Sequence, residues 1–174
     1  MSVTAKIAPC LWFDSEAEEA AKFYVSVFKN SRINKITRYP SVGQEIHERP
    51  VGSVMTVEFE IDGQPFTALN GGPHFTFNEA VSIQVFCDTQ EEIDSYWDKL
   101  TRGGDAKAQQ CGWLKDRYGL SWQIVPAMMS ELFDDHESET AKRAMAVMLP
   151  MKKLVIAEVE NAVKGAPATR AAGR

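Results

Sequence analysis

Cysteine is scarce in this 174-residue sequence: Cys10, Cys87 and Cys111 are the only three. An odd number with no CxxC spacing indicates neither a disulfide framework nor a zinc knuckle, and reduced thiols in a cytoplasm fit it best. No apolar run approaches the roughly 20 residues that span a bilayer, so no membrane partner is expected. A basic start followed by a hydrophobic stretch is also missing, and the expectation is a cytoplasmic protein. Positive charge is short as well. A formal net charge of -5 and a pI near 5.3 argue against a nucleic-acid partner, which calls for a concentrated basic surface. Only "KGAPATRAAGR" at the end is basic and free of acids, and it reads as a solvated tail. What is present is the composition of a soluble globular protein, 44% hydrophobic and 25% charged, long enough to bury one core without staples.

The chain echoes itself. "IAPCLWFDSEAEEAAKFYVSVF" is an apolar run, an Asp-Ser step, then Ala17, Ala20, Ala21, Tyr24, Val27 and Phe28 at helical spacing. Ser15 with Glu18 has the capping-box pattern, in which hydroxyl and carboxylate satisfy exposed helix N–H groups, so a helix is predicted to start there. "VSIQVFCDTQEEIDSYWDKLTRGG" repeats the arrangement, with Thr89 and Glu92 as a second box and Ile93, Tyr96, Trp97 and Leu100 as the apolar stripe. Gly103 and Gly104 stop that helix. Extended segments follow each helix: residues 32–39, 54–61 and 66–70 in the first half, and 106–111, 113–115 and 121–125 in the second. Residues 40–52 read as a loop bounded by proline and glycine, of the kind that often lies over a site. Beyond Pro126, "ETAKRAMAVML" is a short helix stopped by Pro150, and "KKLVIAEVENAV" is a strand or helix with an apolar face.

"CLWFDSEAEEAAKFYVSVF", "VSIQVFCDTQEEIDSYWDKL" and "CGWLKDRYGLSWQIVP" resemble the glyoxalase, bleomycin-resistance and extradiol-dioxygenase (vicinal oxygen chelate) superfamily, and within it the PhnB-like branch often labelled demethylubiquinone methyltransferase. The resemblance implies an α+β fold of two βαβββ modules, about 6–72 and 79–126, whose eight strands curl around a cavity. A C-terminal extension, 127–163, and a disordered tail, 164–174, complete the organisation. The resemblance also implies a homodimer with cavities at or near the subunit interface.

The superfamily's metal enzymes place imidazole or carboxylate ligands at four strand positions, which fall here at Pro9, Ala68, Ser82 and Gln123. Those side chains do not supply three such ligands, so no metal and no other cofactor is expected. Methyl transfer needs a Gly-rich turn between a strand and a helix to receive its cofactor, and no strand here is followed by one.

With that register, alternation points Phe66, Ala68 and Asn70 inward, together with Ser82, Gln84 and Phe86 and with Ser121, Gln123 and Val125. A few hydrogen-bonding groups on apolar surface make a small-molecule pocket; the plainer reading is that Gln84 and Gln123 satisfy each other in a closed barrel. Trp12 and Trp122 alternate to the helix side, and Trp113 is placed to stack on a ligand. His74 is the candidate acid–base group, beside Phe75 near the cavity mouth, against the reading of a turn residue or a dimer contact. His47 and His136 have weaker claims. Asp116 starts a turn with Gly119, and Cys111 is either a small buried residue or a thiol activated by Lys115. "NGGPHFTFNEA" lacks the Lys-Ser/Thr ending of a phosphate loop and leads into a strand, so it reads as the connector between the modules.

Three functions follow in order. The first is a metal-independent module binding or transforming a small, partly apolar metabolite or xenobiotic. The second is a metal-dependent lyase, isomerase or dioxygenase with non-standard ligands, perhaps His74 and Glu79. The third is a drug-sequestering resistance protein.

Overall fold

Helix α1 (Ala17–Val27) turns Ala17, Ala20, Ala21, Tyr24 and Val27 to one side, and all five are buried. Small alanines on that side let the helix lie close to the strands, while Tyr24 supplies the aromatic area. The computed structural model describes residues 6–165, in two compact units, 1–77 and 78–174. The tail expected at 164–174 lies, from residue 166 on, outside the described residues.

In the first unit, β1 (Cys10–Phe13), β2 (Arg32–Arg38), β3 (Val54–Ile61) and β4 (Gln64–Asn70) form one sheet in the order β1-β4-β3-β2. β1 runs parallel to β4, and the other neighbours are antiparallel. Strands β3 and β4 are joined through Asp62 and Gly63, both at positive φ, as a tight two-residue hairpin demands. Val57, Phe59 and Ile61 are buried against α1, and Phe59 stacks on Tyr24 at 6.2 Å and on Phe66 at 5.6 Å. Removing a fully buried aromatic ring of this kind costs about 3–5 kcal/mol.

The start of α1 differs from the predicted capping box. Glu16 stands at the N-cap without a side-chain bond to the helix, and Glu18 is paired with Lys22 one turn on. The Ala17 N–H donates instead to Asn70 Oδ1 at 2.8 Å, so the cap comes from the end of β4. Residues 40–52 hold one short turn of helix, α2 (Gln44–His47), flanked by Gly43 and Glu48 in left-handed conformations. A single turn offers too little periodicity to be read from sequence.

The second unit repeats the strand–helix step. β5 (Ser82–Cys87) leads through Asp88 and Thr89 into α3 (Gln90–Leu100), and β6 (Trp113–Lys115) and β7 (Ser121–Pro126) complete a sheet in the order β5-β7-β6. β5 is parallel to β7, as β1 is to β4. Here the cap is local, as the box predicts, with its second bond displaced by one residue: Glu92 N–H donates to Thr89 Oγ1 at 3.3 Å, and Glu92 Oε2 accepts at 3.0 Å from the N–H of Asp88, which precedes the N-cap. Ile93, Trp97 and Leu100 are buried together with Trp122 and Ile124 of β7. Residues 106–111, predicted as a strand, hold a turn of 3₁₀ helix at Ala106–Ala108 and a single bridge from Gln110 to Trp113. Asp105 accepts a bond from Lys107 N–H at 2.9 Å, and a segment rich in Ala, Lys and Gln favours that local bond over strand pairing. The described residues therefore carry seven strands where eight were predicted.

The extension is helical throughout: α4 (Met129–Leu132), α5 (Glu139–Met148) and α6 (Ile156–Val163). Ala144, Met148, Leu154 and Val159 form its core, against which Cys111, Val125 and Met128 pack. Backbone bonds from Cys111 N–H to Met151 O at 2.6 Å and from Gly112 N–H to Lys152 O at 2.8 Å fasten it to the turn before β6. Gln90 adds a clamp from α3, donating to Leu154 O and accepting from Ile156 N–H. Lys153 pairs with Asp94 at 2.7 Å, which, with the bond from Gln90, holds the Asp94 carboxyl below its ordinary value. No helix among the described residues is long and apolar enough to cross a membrane.

Candidate functional site

Each sheet has one face covered by its helix and one face that the helix leaves free. In the first unit the strand faces lie opposite to expectation. Phe66 and Ala68, placed on a cavity wall by the sequence, face α1 and are buried in its core. Asn70 is on the same side, with both polar atoms committed: Oδ1 caps α1, and Nδ2 donates to Val54 O at 3.0 Å. Its carbonyl accepts from the Tyr39 hydroxyl at 2.5 Å. The signal that gives the correct face is the hairpin. A two-residue Asp-Gly loop pairs Phe59 with Phe66 and Val57 with Ala68, so if the β3 residues are core, their β4 partners are too.

The face away from α1 carries Cys10, Trp12, Thr56, Glu58, Thr67 and Leu69. Trp12, expected beneath a helix, is on this face because Leu11 and Phe13 take the core side. Its Nε1 donates to Gly72 O at 2.8 Å, and its ring meets Phe75 edge-on at 4.9 Å. A Cβ on Gly71 would fall 2.2 Å from that indole, so the first glycine of "NGGPHFTFNEA" is required by the close approach. His74 is exposed in the same segment, near Gly72 and the Arg49 guanidinium. Arg49 in turn holds Asp14, donating to its carbonyl at 2.8 Å and pairing with its carboxylate at 3.3 Å. His47 lies against Tyr39, and its Nδ1 accepts from Arg49 N–H at 3.0 Å, tying down the loop over residues 40–52.

In the second unit the strands alternate between a covered and an open face. Trp122 and Ile124 face α3, while Ser82, Gln84 and Phe86 share the other face with Ser121, Gln123 and Val125, and with Trp113 and Lys115 of β6. Gln123 Nε2 donates to Ser82 Oγ at 2.8 Å, and Gln84 Nε2 donates to Gln123 Oε1 at 3.3 Å. The two amides thus satisfy each other in part, as the plainer reading had it, but on a face where Gln84 and Phe86 are exposed. Ser121 is buried, and its hydroxyl has no hydrogen-bond partner among the described residues. Lys115 pairs with Glu79 at 2.5 Å, and the bond to that ammonium holds the Glu79 carboxyl below its ordinary value.

Asp116 serves structure: Oδ1 accepts from Tyr118 and Leu120 N–H groups and Oδ2 from Trp122 Nε1 at 2.8 Å, with Gly119 at positive φ in the turn. Cys111 takes a left-handed conformation outside any strand, and partial burial pushes its thiol up, the opposite of activation. Cys87 is pushed up to about 12, by burial first and then by Glu92 and Asp88. His136 is exposed beside Glu137.

The four positions at which the sequence reading places metal ligands do not supply a set for a divalent ion, and the register that put Ala68 among them is corrected by its burial against α1. Pro9 has no donor side chain, Ala68 is buried against α1, and Ser82 and Gln123 are bonded to each other. Among the described residues no group of three or more His, Cys, Asp or Glu side chains could hold a metal.

Comparison with known proteins gives a consistent picture. Residues 5–125 match the family described as 3-demethylubiquinone-9 3-methyltransferase. A putative 3-demethylubiquinone-9 3-methyltransferase, PhnB protein, from Bacillus cereus is 36% identical, with a TM-score of 0.60, over 70% of this chain and 99% of its own. Two more distant structures share the fold alone. Protein PA1353 from Pseudomonas aeruginosa is 17% identical with a TM-score of 0.52, over 71% of this chain and 98% of its own. The fosfomycin resistance protein FosX from Mesorhizobium loti is 13% identical with a TM-score of 0.51, over 75% and 97%. No curated protein matches the chain. With two thirds of its length matching the family and a one-third-identical PhnB protein covered almost end to end, the chain belongs to the 3-demethylubiquinone-9 3-methyltransferase family, in its PhnB-like branch.

Proposed function

We propose that this protein binds, or binds and transforms, a small, partly apolar metabolite or xenobiotic on the face of the second sheet away from α3, without a metal of the superfamily's usual kind. One observation carries the reading: the Gln84–Gln123–Ser82 chain of hydrogen bonds lies on that face between exposed Phe86 and half-exposed Trp113. Amides bonded at 3.3 Å exchange partners at little cost, and aromatic surface beside them supplies the apolar contact that small-molecule sites use.

The family's description speaks of a methyltransferase. The strand-to-helix steps of this chain, Asp14–Glu16 and Asp88–Thr89, contain no glycine to admit a cofactor against the backbone, which supports treating that description as a label of the family. The reading carries a homodimer as the working unit, checked by a sedimentation velocity mass of two chains.

A thermal-shift screen of small aromatic metabolites tests the site. A ligand in excess of its dissociation constant raises the midpoint, and Gln123→Ala is expected to remove that rise while leaving the ligand-free midpoint nearly unchanged. An unchanged rise in the variant takes the ligand elsewhere, and about one equivalent of divalent metal in untagged protein overturns the metal-free part.

A further inference from the structure

We infer that the ligand of the second unit is an amphipathic acid, its carboxylate or other oxyanion held at Lys115 and Ser121 and its apolar body laid past Trp113 toward Phe86. This rests on the site proposed above and adds the ligand's charge and direction. Cross-strand register sorts the face into three rows. Ser82, Ser121 and Lys115 stand opposite one another, then Gln84, Gln123 and Trp113, then Phe86 and Val125. From the first row to the third is four residues of strand, about 13 Å at the usual rise per residue. Over that distance the surface passes from a cation and hydroxyls, through planar amides and an indole, to apolar side chains only.

The polar end has a second, independent mark. Ser121 is 1% exposed and its Oγ meets no hydrogen-bond partner among the described residues, although alternation aims it to the same side as Lys115 and Ser82. Ser82, its neighbour, already accepts from Gln123. A hydroxyl without a partner, in the same cross-strand row as a lysine, is matched by an oxyanion. Lys115 now holds the Glu79 carboxylate, which is 65% exposed while the lysine is 22% exposed. Glu79 precedes β5 and is not fixed by the sheet, so it occupies from within the chain the place of a ligand's carboxylate. Exchanging one carboxylate for another leaves the charge balance at Lys115 unchanged, avoiding an unpaired buried charge. At the other end Val125 packs against the hydrophobic cluster of the extension, which bounds the apolar row.

Three probes of one length and different heads test the inference: 6-phenylhexanoate, 6-phenylhexanamide and 6-phenylhexylamine, each titrated calorimetrically into the full chain. The acid is expected to bind about tenfold tighter than the amide, the size of one charge-assisted bond, and the amine more weakly than either. Lys115→Gln is expected to erase the preference for the acid, and Ser121→Ala to weaken the acid several-fold, with ligand-free thermal midpoints reporting whether each variant is folded. Glu79→Gln, at an exposed position, is expected to tighten the acid about two- to threefold by freeing Lys115. Equal binding of all three probes, each weakened by Gln123→Ala, overturns the acid head while leaving the site in place. An acid preference that survives Lys115→Gln overturns it as well, and so does the absence of binding by every probe. Acid binding indifferent to Gln123→Ala overturns the proposed site itself.

Discussion

The two units repeat one plan, yet they spend their polar side chains differently. At the end of the first sheet Asn70 caps α1 and holds β3, Tyr39 holds Asn70, and Trp12 holds Gly72. In the second, α3 is capped locally by Thr89 and Glu92, and the amides of Gln84 and Gln123 remain on an uncovered face. A helix that caps itself releases the sheet's polar groups from structural duty. The difference is the ground for proposing the binding face in the second unit, while the first spends its polar groups on long-range bracing.

The contrast breaks most easily at Asn70. Asn70→Ala strands the buried Ala17 N–H and the half-buried Val54 carbonyl and is expected to destabilise the protein by about 2–4 kcal/mol in a urea titration. A loss below about 1 kcal/mol would mean that α1 caps itself as α3 does. Gly71→Ala drives a methyl into the Trp12 indole and is expected to cost about 1–3 kcal/mol, with altered near-ultraviolet circular dichroism from the displaced ring. In the second unit Gln123→Ala should cost less than about 1 kcal/mol, since its bonds lie on a partly exposed face. A cost as large as that of Asn70→Ala would make both units structural. The smallest effect concerns Asp94. Its carboxyl titrates below the ordinary value in the folded protein, so its contribution is present above that value and is lost as pH falls through the folded one. Below about pH 4 the clamp on the extension should loosen. Asp94→Asn should remove that acid dependence at a cost of a few tenths of a kcal/mol at neutral pH, the pair being largely exposed. Limited proteolysis between residues 127 and 156 checks both.

Much of this architecture is legible in the sequence because local signals agree. The helical stripes of α1 and α3, the Thr89–Glu92 box and the alternation in β5 and β7 each act over a few residues. The face of β4 differs from expectation because its own pattern, "QPFTALN", alternates weakly; Val57 and Phe59, one hairpin away, decide it. The Asn70 cap was hidden for a related reason, since a box at Ser15–Glu18 was available locally and the bond that forms joins residues 53 apart. Residues 106–111 failed as a strand because Asp105 offers the next turn a nearer partner. At the site, the Ser82–Gln123 bond and the Lys115 row follow from strand pairing and were within reach. The unpartnered state of Ser121 was not, because it depends on where neighbouring side chains settle.

The bond from Ala17 N–H to Asn70 Oδ1 also sets an order of events. A contact that spans most of the first unit closes late, after the loop between has lost its freedom, and until then the first turn of α1 lacks its cap. Amide hydrogen exchange at Ala17 should therefore be as slow as at the centre of β3, reporting the opening of the whole unit and not the fraying of a helix end.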